Sequence, residues 1–312
     1  MARPQHLAPT ARPRPARIGD AQVRRIVALA GELYDLDYDV GGDTLWDRAE
    51  TRVREAHQLL RFGTYSGQVG PRLHSAVGEL GMCAGWLAFD AGRHPQARRS
   101  YTEALTLARI ADDPWLEFHA LVSMSMQGVA TDRPRDALAL AQAAEHLLLR
   151  RPHPLLAAVA AMRQARAYAK LGDPAGMRAA MDRAWTAFEA RGDTAGSAPE
   201  WTRFLDDAEL AGNEGMCEND LGRLARASAL LDRACGQQRD GMTRNLSLYT
   251  VRLARVRLAA GDAEGAVRLG ETALGLAADR VASTRIVTEL RELRDELSAR
   301  AVETTRLDAL VA

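Results

Sequence analysis

The sequence predicts an all-α protein built from antiparallel helix pairs stacked one after another. Three observations carry that expectation. Apolar residues recur at intervals of three and four through nearly all of the 312-residue chain. No stretch shows the period-2 alternation of a half-buried strand. Short turns recur at near-constant spacing, with small residues at the same register on either side of each.

Composition narrows the function classes. Hydrophobic residues make up 47% of the chain and charged residues 26%, as in a soluble globular protein, while aromatics at 5% require a mostly aliphatic core. The 41 basic and 41 acidic side chains cancel, so no overall basic field draws the chain onto nucleic acid or anionic lipid. Lys170 is the single lysine among the 41 basic residues, a bias that reflects a GC-rich origin rather than forty guanidinium sites. Cys83, Cys217 and Cys235 are odd in number and widely spaced, which indicates neither a disulfide framework nor a zinc site. No apolar run reaches the ~18 residues of a membrane span, and the N-terminus lacks the apolar middle of a signal peptide. The expected location is the cytoplasm.

Residues 1–17 hold Arg3, Arg12, Arg14 and Arg17 among four prolines with no acid, the composition of a disordered basic linker or arm. Residues 18–66 read as an N-terminal helical hairpin. Its first helix carries Val23, Ile26, Val27, Ala30, Leu33 and Tyr34 on one stripe after a cap at Asp20, and stops at Gly41 and Gly42. Its second, capped by Asp43, carries Leu45, Ala49, Val53, Ala56 and Leu60. Tyr34, Tyr38 and Trp46 serve either the core or a homodimer surface. A glycine-rich loop spans 63–70.

The repeat array occupies 67–300, with 301–312 as a C-terminal tail. Its turns fall at Gly92, Asp132, Gly172, Gly222 and Gly261, spaced 40, 40, 50 and 39 residues apart. Five residues after each turn stand Ala97, Ala137, Met177, Ala227 and Ala266, and seven further on Ala104, Ala144, Ala184, Ala234 and Ala273. The position between holds Tyr101, Ala141, Met181, Leu231 and Gly270, and seven residues before each turn stand Gly85, Ser125, Ala165, Gly215 and Ala254. Small residues at a fixed register let two antiparallel helices approach closely. This is the tetratricopeptide-repeat (TPR) arrangement, a right-handed superhelix of antiparallel pairs, although the spacing exceeds the ~34 residues of a standard repeat. The longest interval contains 191–199, read as a surface loop before a helix opening near Glu200 and Trp201. Ile286, Leu290, Leu293 and Leu297 form the stripe of a closing helix with a charged outer face.

Signatures of catalysis are missing: the sequence has no glycine-rich dinucleotide fingerprint, phosphate loop, nucleophile elbow or His-Glu-x-x-His. The seven histidines show no metal-ligand spacing, so no metal or cofactor is expected and the chain reads as a non-enzyme. Asp206, Asp207, Glu209, Glu214, Glu218 and Asp220 spread over several helix faces and read first as solvated surface, with docking of a basic segment, such as the chain's own arginine arm, as the alternative. In TPR arrays the first helix of each unit lines the concave groove. That phasing selects Met82, Trp86, His119, Met126, Arg166, Glu209, Met216 and Asn219 as ligand or partner contacts. Methionines with a tryptophan make an adaptable apolar surface, and Arg166, like Arg255, suits a carboxylate. Core packing is the competing reading of the same stripe.

The segments Leu36-Asp37-Tyr38-Asp39-Val40-Gly41-Gly42, Ala84-Gly85-Trp86-Leu87-Ala88-Phe89-Asp90-Ala91-Gly92, Tyr101-Thr102-Glu103-Ala104-Leu105 and Pro199-Glu200-Trp201 resemble the C-terminal TPR-type region of actinobacterial XRE-like transcriptional regulators, over roughly residues 17–300. The resemblance implies a sensor or interaction module that takes a peptide, small molecule or partner protein in its groove. It implies contact with DNA only through a helix-turn-helix domain, which nothing in this sequence matches. The sequence thus reads as a truncated regulator, a dissected fragment or a standalone paralogue. The alternative function is a scaffold that joins protein partners without sensing a ligand.

Overall fold

The computed structural model describes residues 17–192, 198–238, 242–278, 282–303 and 307. Thirteen α-helices, and no strand, are found among them: α1 (Asp20–Val40), α2 (Gly42–Phe62), α3 (Val69–Asp90), α4 (His94–Ala111), α5 (Pro114–Ala130), α6 (Pro134–Leu147), α7 (Pro154–Lys170), α8 (Pro174–Glu189), α9 (Asp207–Asp220), α10 (Leu224–Gly236), α11 (Thr243–Ala259), α12 (Ala263–Ala278) and α13 (Thr284–Ser298). The expected basic arm lies outside the described residues apart from Arg17, which bridges to Thr64.

Each of the five expected turns joins one antiparallel pair: α3 to α4, α5 to α6, α7 to α8, α9 to α10 and α11 to α12. The turn residues adopt left-handed backbone, with φ of 67° at Gly92, 54° at Asp132, 72° at Gly172, 74° at Gly222 and 92° at Gly261. The next N–H then reaches back to a carbonyl five residues earlier, as in Arg93 to Ala88, Arg133 to Gly128, Asp173 to Tyr168, Arg223 to Glu218 and Asp262 to Arg257. That bond closes the end of each first helix, which explains why glycine dominates the position. Prolines at the first position of α5 to α8 start those helices, and the Asp113, Asp173 and Asp206 carboxylates cap α5, α8 and α9. The fold is TPR-like.

The small-residue register marks where the pairs touch. Ala97, Ala137, Ala227 and Ala266 are fully buried, as are Ala144, Ala184, Ala234 and Ala273. Residue sizes compensate across the contact. A Cβ at Gly85 would lie 2.5 Å from Cε1 of Tyr101, and one at Gly215 would lie 2.9 Å from Cγ of Leu231. Where α6 offers only Ala141, α5 fills the space with Ser125, whose hydroxyl donates to the Ala137 carbonyl at 2.7 Å.

Several local expectations are corrected. α1 and α2 each pack more extensively on α3 than on each other, so they wrap the first repeat instead of forming a self-contained hairpin. Gly19, not Asp20, precedes α1, its N–H bonded to the Gln22 side chain, and Gly41, not Asp43, precedes α2. Tyr34 is half-buried against the apolar core and Trp46 is buried within it, with Arg93 4.2 Å from the Trp46 ring centre. The Tyr38 side chain is outside the described residues. Of the expected loop 191–199, residues 193–197 are likewise outside them, and Glu200–Phe204 form a single 3-10 turn with α9 beginning only at Asp207. Asp206, whose carboxylate accepts the Glu209 N–H at 2.8 Å, places the true helix start.

The inner layer determines the architecture. α3, α5, α7, α9 and α11 pack each on the next, α13 packs on α11, and α13 also touches α3. The superhelix therefore closes on itself. Gly85→Ala should cost about 1–3 kcal/mol by overpacking although alanine favours helix. In a Tyr101→Ala background the same change should cost far less, which a denaturant-melt double-mutant cycle measures.

Candidate functional site

The seam where the two ends meet is built from buried charges. Asp37 on α1 accepts Arg244 of α11 through two bonds, Nη1 to Oδ1 at 2.6 Å and Nη2 to Oδ2 at 2.7 Å. The Trp86 indole N–H donates to Asp37 Oδ2 at 2.8 Å. Asp90, fully buried, accepts the Gly42 N–H at 3.2 Å and lies 3.3 Å from Arg285 of α13 and 3.6 Å from Arg244. Both guanidinium groups lie against Trp86, 5.2 Å and 5.3 Å from its ring centre. Two backbone bonds complete the seam, Ala282 N–H to Val40 O at 3.1 Å and Asp43 N–H to Ala282 O at 3.2 Å, while the Thr284 hydroxyl donates to the Asp43 carboxylate. Gly42 is required here, since a Cβ would stand 2.6 Å from the Leu87 carbonyl oxygen.

A second strip runs along the inner layer. The Tyr34 hydroxyl donates to Glu79 Oε1 at 3.3 Å, and His119 Nδ1 lies 3.4 Å from Glu79 Oε2. His119 stacks face to face on Trp201, with ring centres 4.0 Å apart and planes 5° from parallel. Trp201 belongs to the 3-10 turn, whose Phe204 lies 5.9 Å from the Arg163 guanidinium of α7. Burial lowers the Arg163 pKa, an effect partly offset by Glu209 and Tyr249. Glu209 accepts the Tyr249 hydroxyl at 2.8 Å and Asn213 Nδ2 at 3.0 Å. Burial, reinforced by Glu209, drives the Tyr249 phenol well above its usual value. At the end of the strip, Arg252 binds Glu289 at 2.8 Å. Burial pushes the Glu289 carboxyl up, but Arg252, with Arg255 and Arg285, outweighs it and holds the group below the usual range.

The eight expected contacts divide between these regions and the core. Met82 is 1% exposed and belongs to the apolar cluster that α1 to α5 build around the first repeat. Trp86 sits in the seam and His119 under Trp201. Met126 and Met216 are half-buried at the edges of apolar clusters, and Asn219 is half-buried. Arg166 is engaged by the chain itself, 2.7 Å from Asp220, and Arg255 likewise holds Glu292 and Glu296. Glu209 lies on the strip. Asp207 is exposed, but half of the acidic cluster is not solvated surface: Glu218 is 2% exposed between Arg223 and Arg226, Asp220 joins Arg166 to Lys170, and Glu214 accepts the Trp185 indole N–H. Burial raises all three cysteine pKa values, that of Cys217 to about 11 despite Arg166, so the thiols are poor nucleophiles.

Sequence reading missed Asp37, Asp90, Arg163, Arg244, Arg285 and Glu289. One signal was available. Asp37 continues the stripe Val23, Ile26, Ala30 and Leu33, all buried, and an acid on an apolar helix face needs a partner. Among the described residues no group of His, Cys, Asp and Glu is placed to hold a metal ion, and no helix is long and apolar enough to cross a membrane.

Comparison with protein-family models and with curated proteins returns no match. Solved structures share the fold, two of them at a TM-score of 0.50 or above over most of this chain. A Rap protein in complex with competence and sporulation factor aligns over 89% of this chain and 88% of its own, at 12% identity and a TM-score of 0.54. BtubC from P. vanneervenii aligns over 77% of this chain and 92% of its own, at 19% identity and a TM-score of 0.50.

Arg244→Met should cost about 3–5 kcal/mol by leaving Asp37 buried and uncompensated. It should also speed amide exchange at the ends of α1 and α13, whereas an unlinked seam would leave those rates unchanged. A carboxylate held low stabilises the fold above its unfolded pKa, about 4.3 for glutamate, and loses that contribution as pH falls through the folded value. Glu289→Gln should therefore lower the Tm at pH 7, and the gap from wild type should narrow as the pH drops below about 4.

Proposed function

We propose that this chain is the sensor or interaction module of a transcriptional regulator, a cytoplasmic non-enzyme that holds a peptide, small molecule or partner protein against the inner face of its repeat array. The observation that carries this reading is the inner strip itself. Tyr34 of α1 and the inner-helix residues Glu79, His119, Arg163, Glu209 and Tyr249 bring polar, charged and aromatic groups together along the inner layer, where an apolar stripe would suffice for packing. A concave surface that combines aromatic area with a few placed polar groups is the usual form of a recognition site. The link to transcription rests on the sequence resemblance. The similarly folded Rap protein, solved with its factor bound, supports the idea that such an array accommodates a partner.

On this reading the seam is the part that moves. A partner that binds the open and closed rings with different affinity shifts the balance between them, and the displacement of α1 against α13 biases a DNA-binding domain carried in cis or on another chain. A second reading, the standalone scaffold, draws on a different surface. An open groove of about 500 Å³ on the outer side of α2 and α4, lined by Trp46, His57, Phe62 and Arg99, offers a separate docking place.

Native mass spectrometry of the protein from its own cells should show a retained ligand or partner mass that His119→Ala combined with Arg163→Met releases. The same variant should fail to restore the transcript profile of a deletion strain. Retention of the mass together with normal transcripts would remove the inner face from consideration.

A further inference from the structure

The segment 198–206 crosses the inner strip and packs on helices that it does not connect. Its 3-10 turn contacts three helices distant in sequence. Trp201 stacks on His119 and lies 6.3 Å from Phe118, both on α5. Phe204 lies beside Arg163 on α7. Arg203 reaches Asp35 on α1 at 2.7 Å. Its own backbone bonds are local, Thr202 N–H to Pro199 O at 2.9 Å and Leu205 N–H to Thr202 O at 3.0 Å. Side chains, not a backbone ladder, hold it to the ring. Leu205, buried at the entry to α9, anchors the downstream end, whereas Trp201 and Phe204 are half-buried and the Arg203–Asp35 pair is exposed.

A segment docked through side chains can be replaced by another that presents the same side chains. We propose that residues 200–204 are a built-in competitor for the inner strip, and that the partner displacing them is a peptide with an aromatic residue, a basic residue two positions on and a second aromatic residue immediately after. The occupant in place shows what the surface accepts: an indole on the His119 ring, a cation against Asp35, a second ring beside Arg163. A tethered competitor acts at an effective concentration of roughly millimolar, so a free peptide binds only as far as it outcompetes the tether. Loosening the tether raises apparent affinity by the inverse of the fraction of molecules whose strip is vacant. This inference rests on the reading of the inner face as a partner site.

The test uses a fluorescein-labelled nine-residue peptide copied from 198–206 and fluorescence anisotropy on the full chain. Wild type should bind it weakly. Trp201→Ala should bind at least about tenfold more tightly. Arg203→Glu, which places like charge against Asp35 and Glu200 on exposed side chains, should also bind more tightly. The swap of Asp35→Arg with Arg203→Glu should return binding to the wild-type level, and a peptide with its tryptophan replaced by alanine should bind none of the proteins. If both loosened variants, folded by circular dichroism, bind no more tightly than wild type, the competitor idea fails. Should the His119→Ala/Arg163→Met variant still release the cell-derived partner in that case, the inner-face reading survives alone; if it releases nothing, both fall.

Discussion

The two-pronged contact between Arg244 and Asp37 joins residues 207 positions apart and turns an open array into a closed one. Repeat proteins normally contact only their neighbours and leave two free ends. Here the ends are tied through charges that are costly to bury and that stabilise only when geometry is good and every remaining group is bonded. The surroundings meet much of that condition, although Asp90 Oδ1 and Arg285 Nε are buried without a hydrogen bond and rely on their ion pair alone. Trp86 supplies an indole N–H, the Gly42 N–H bonds to Asp90, and Arg285 gives Asp90 a second cation. Removing any one of these leaves another exposed to an apolar interior, which is why the glycine pair at 41 and 42, the tryptophan and two arginines from distant helices form one unit.

The local half of the structure was legible in the sequence. All five turn positions found by spacing have left-handed backbone, and the small residues around them lie where helices touch, because both features depend on residues within about one repeat of each other. The non-local half was not. Helical periodicity says which face is buried and nothing about which distant helix covers it. Asp37 gave a partial signal by continuing an apolar stripe, but no pattern within reach of α1 pointed to Arg244.

The same limit explains why the acids of α9 and the segment at Glu200 were legible only in part. Six acids between Asp206 and Asp220 look like solvated surface when read along one helix, yet Glu218 and Asp220 meet arginines from α7 and α10 and become structural. Glycine, serine and proline crowd into 191–199, which reads as a loop before a helix expected near Glu200 and Trp201. Only the three-dimensional arrangement puts Trp201 over His119 and gives part of the insertion a docked place.

Seam and inner strip are not independent. α1 contributes Asp37 to one and Tyr34 to the other, α3 contributes Trp86 and Glu79, and α13 contributes Arg285 and Glu289. A ligand that pulls on Glu79 or Glu289 therefore acts on helices that also hold the closure. A buried ion pair is near break-even against its desolvation, so the closed form need not be far below an open one. Carrying such an equilibrium from one extreme to the other takes about 5.5 kcal/mol of differential binding, within what a few charge-assisted hydrogen bonds and one stacked aromatic provide. On the proposed reading, closure by buried charge is what would let a partner shift the array, where closure by a large apolar interface would resist it.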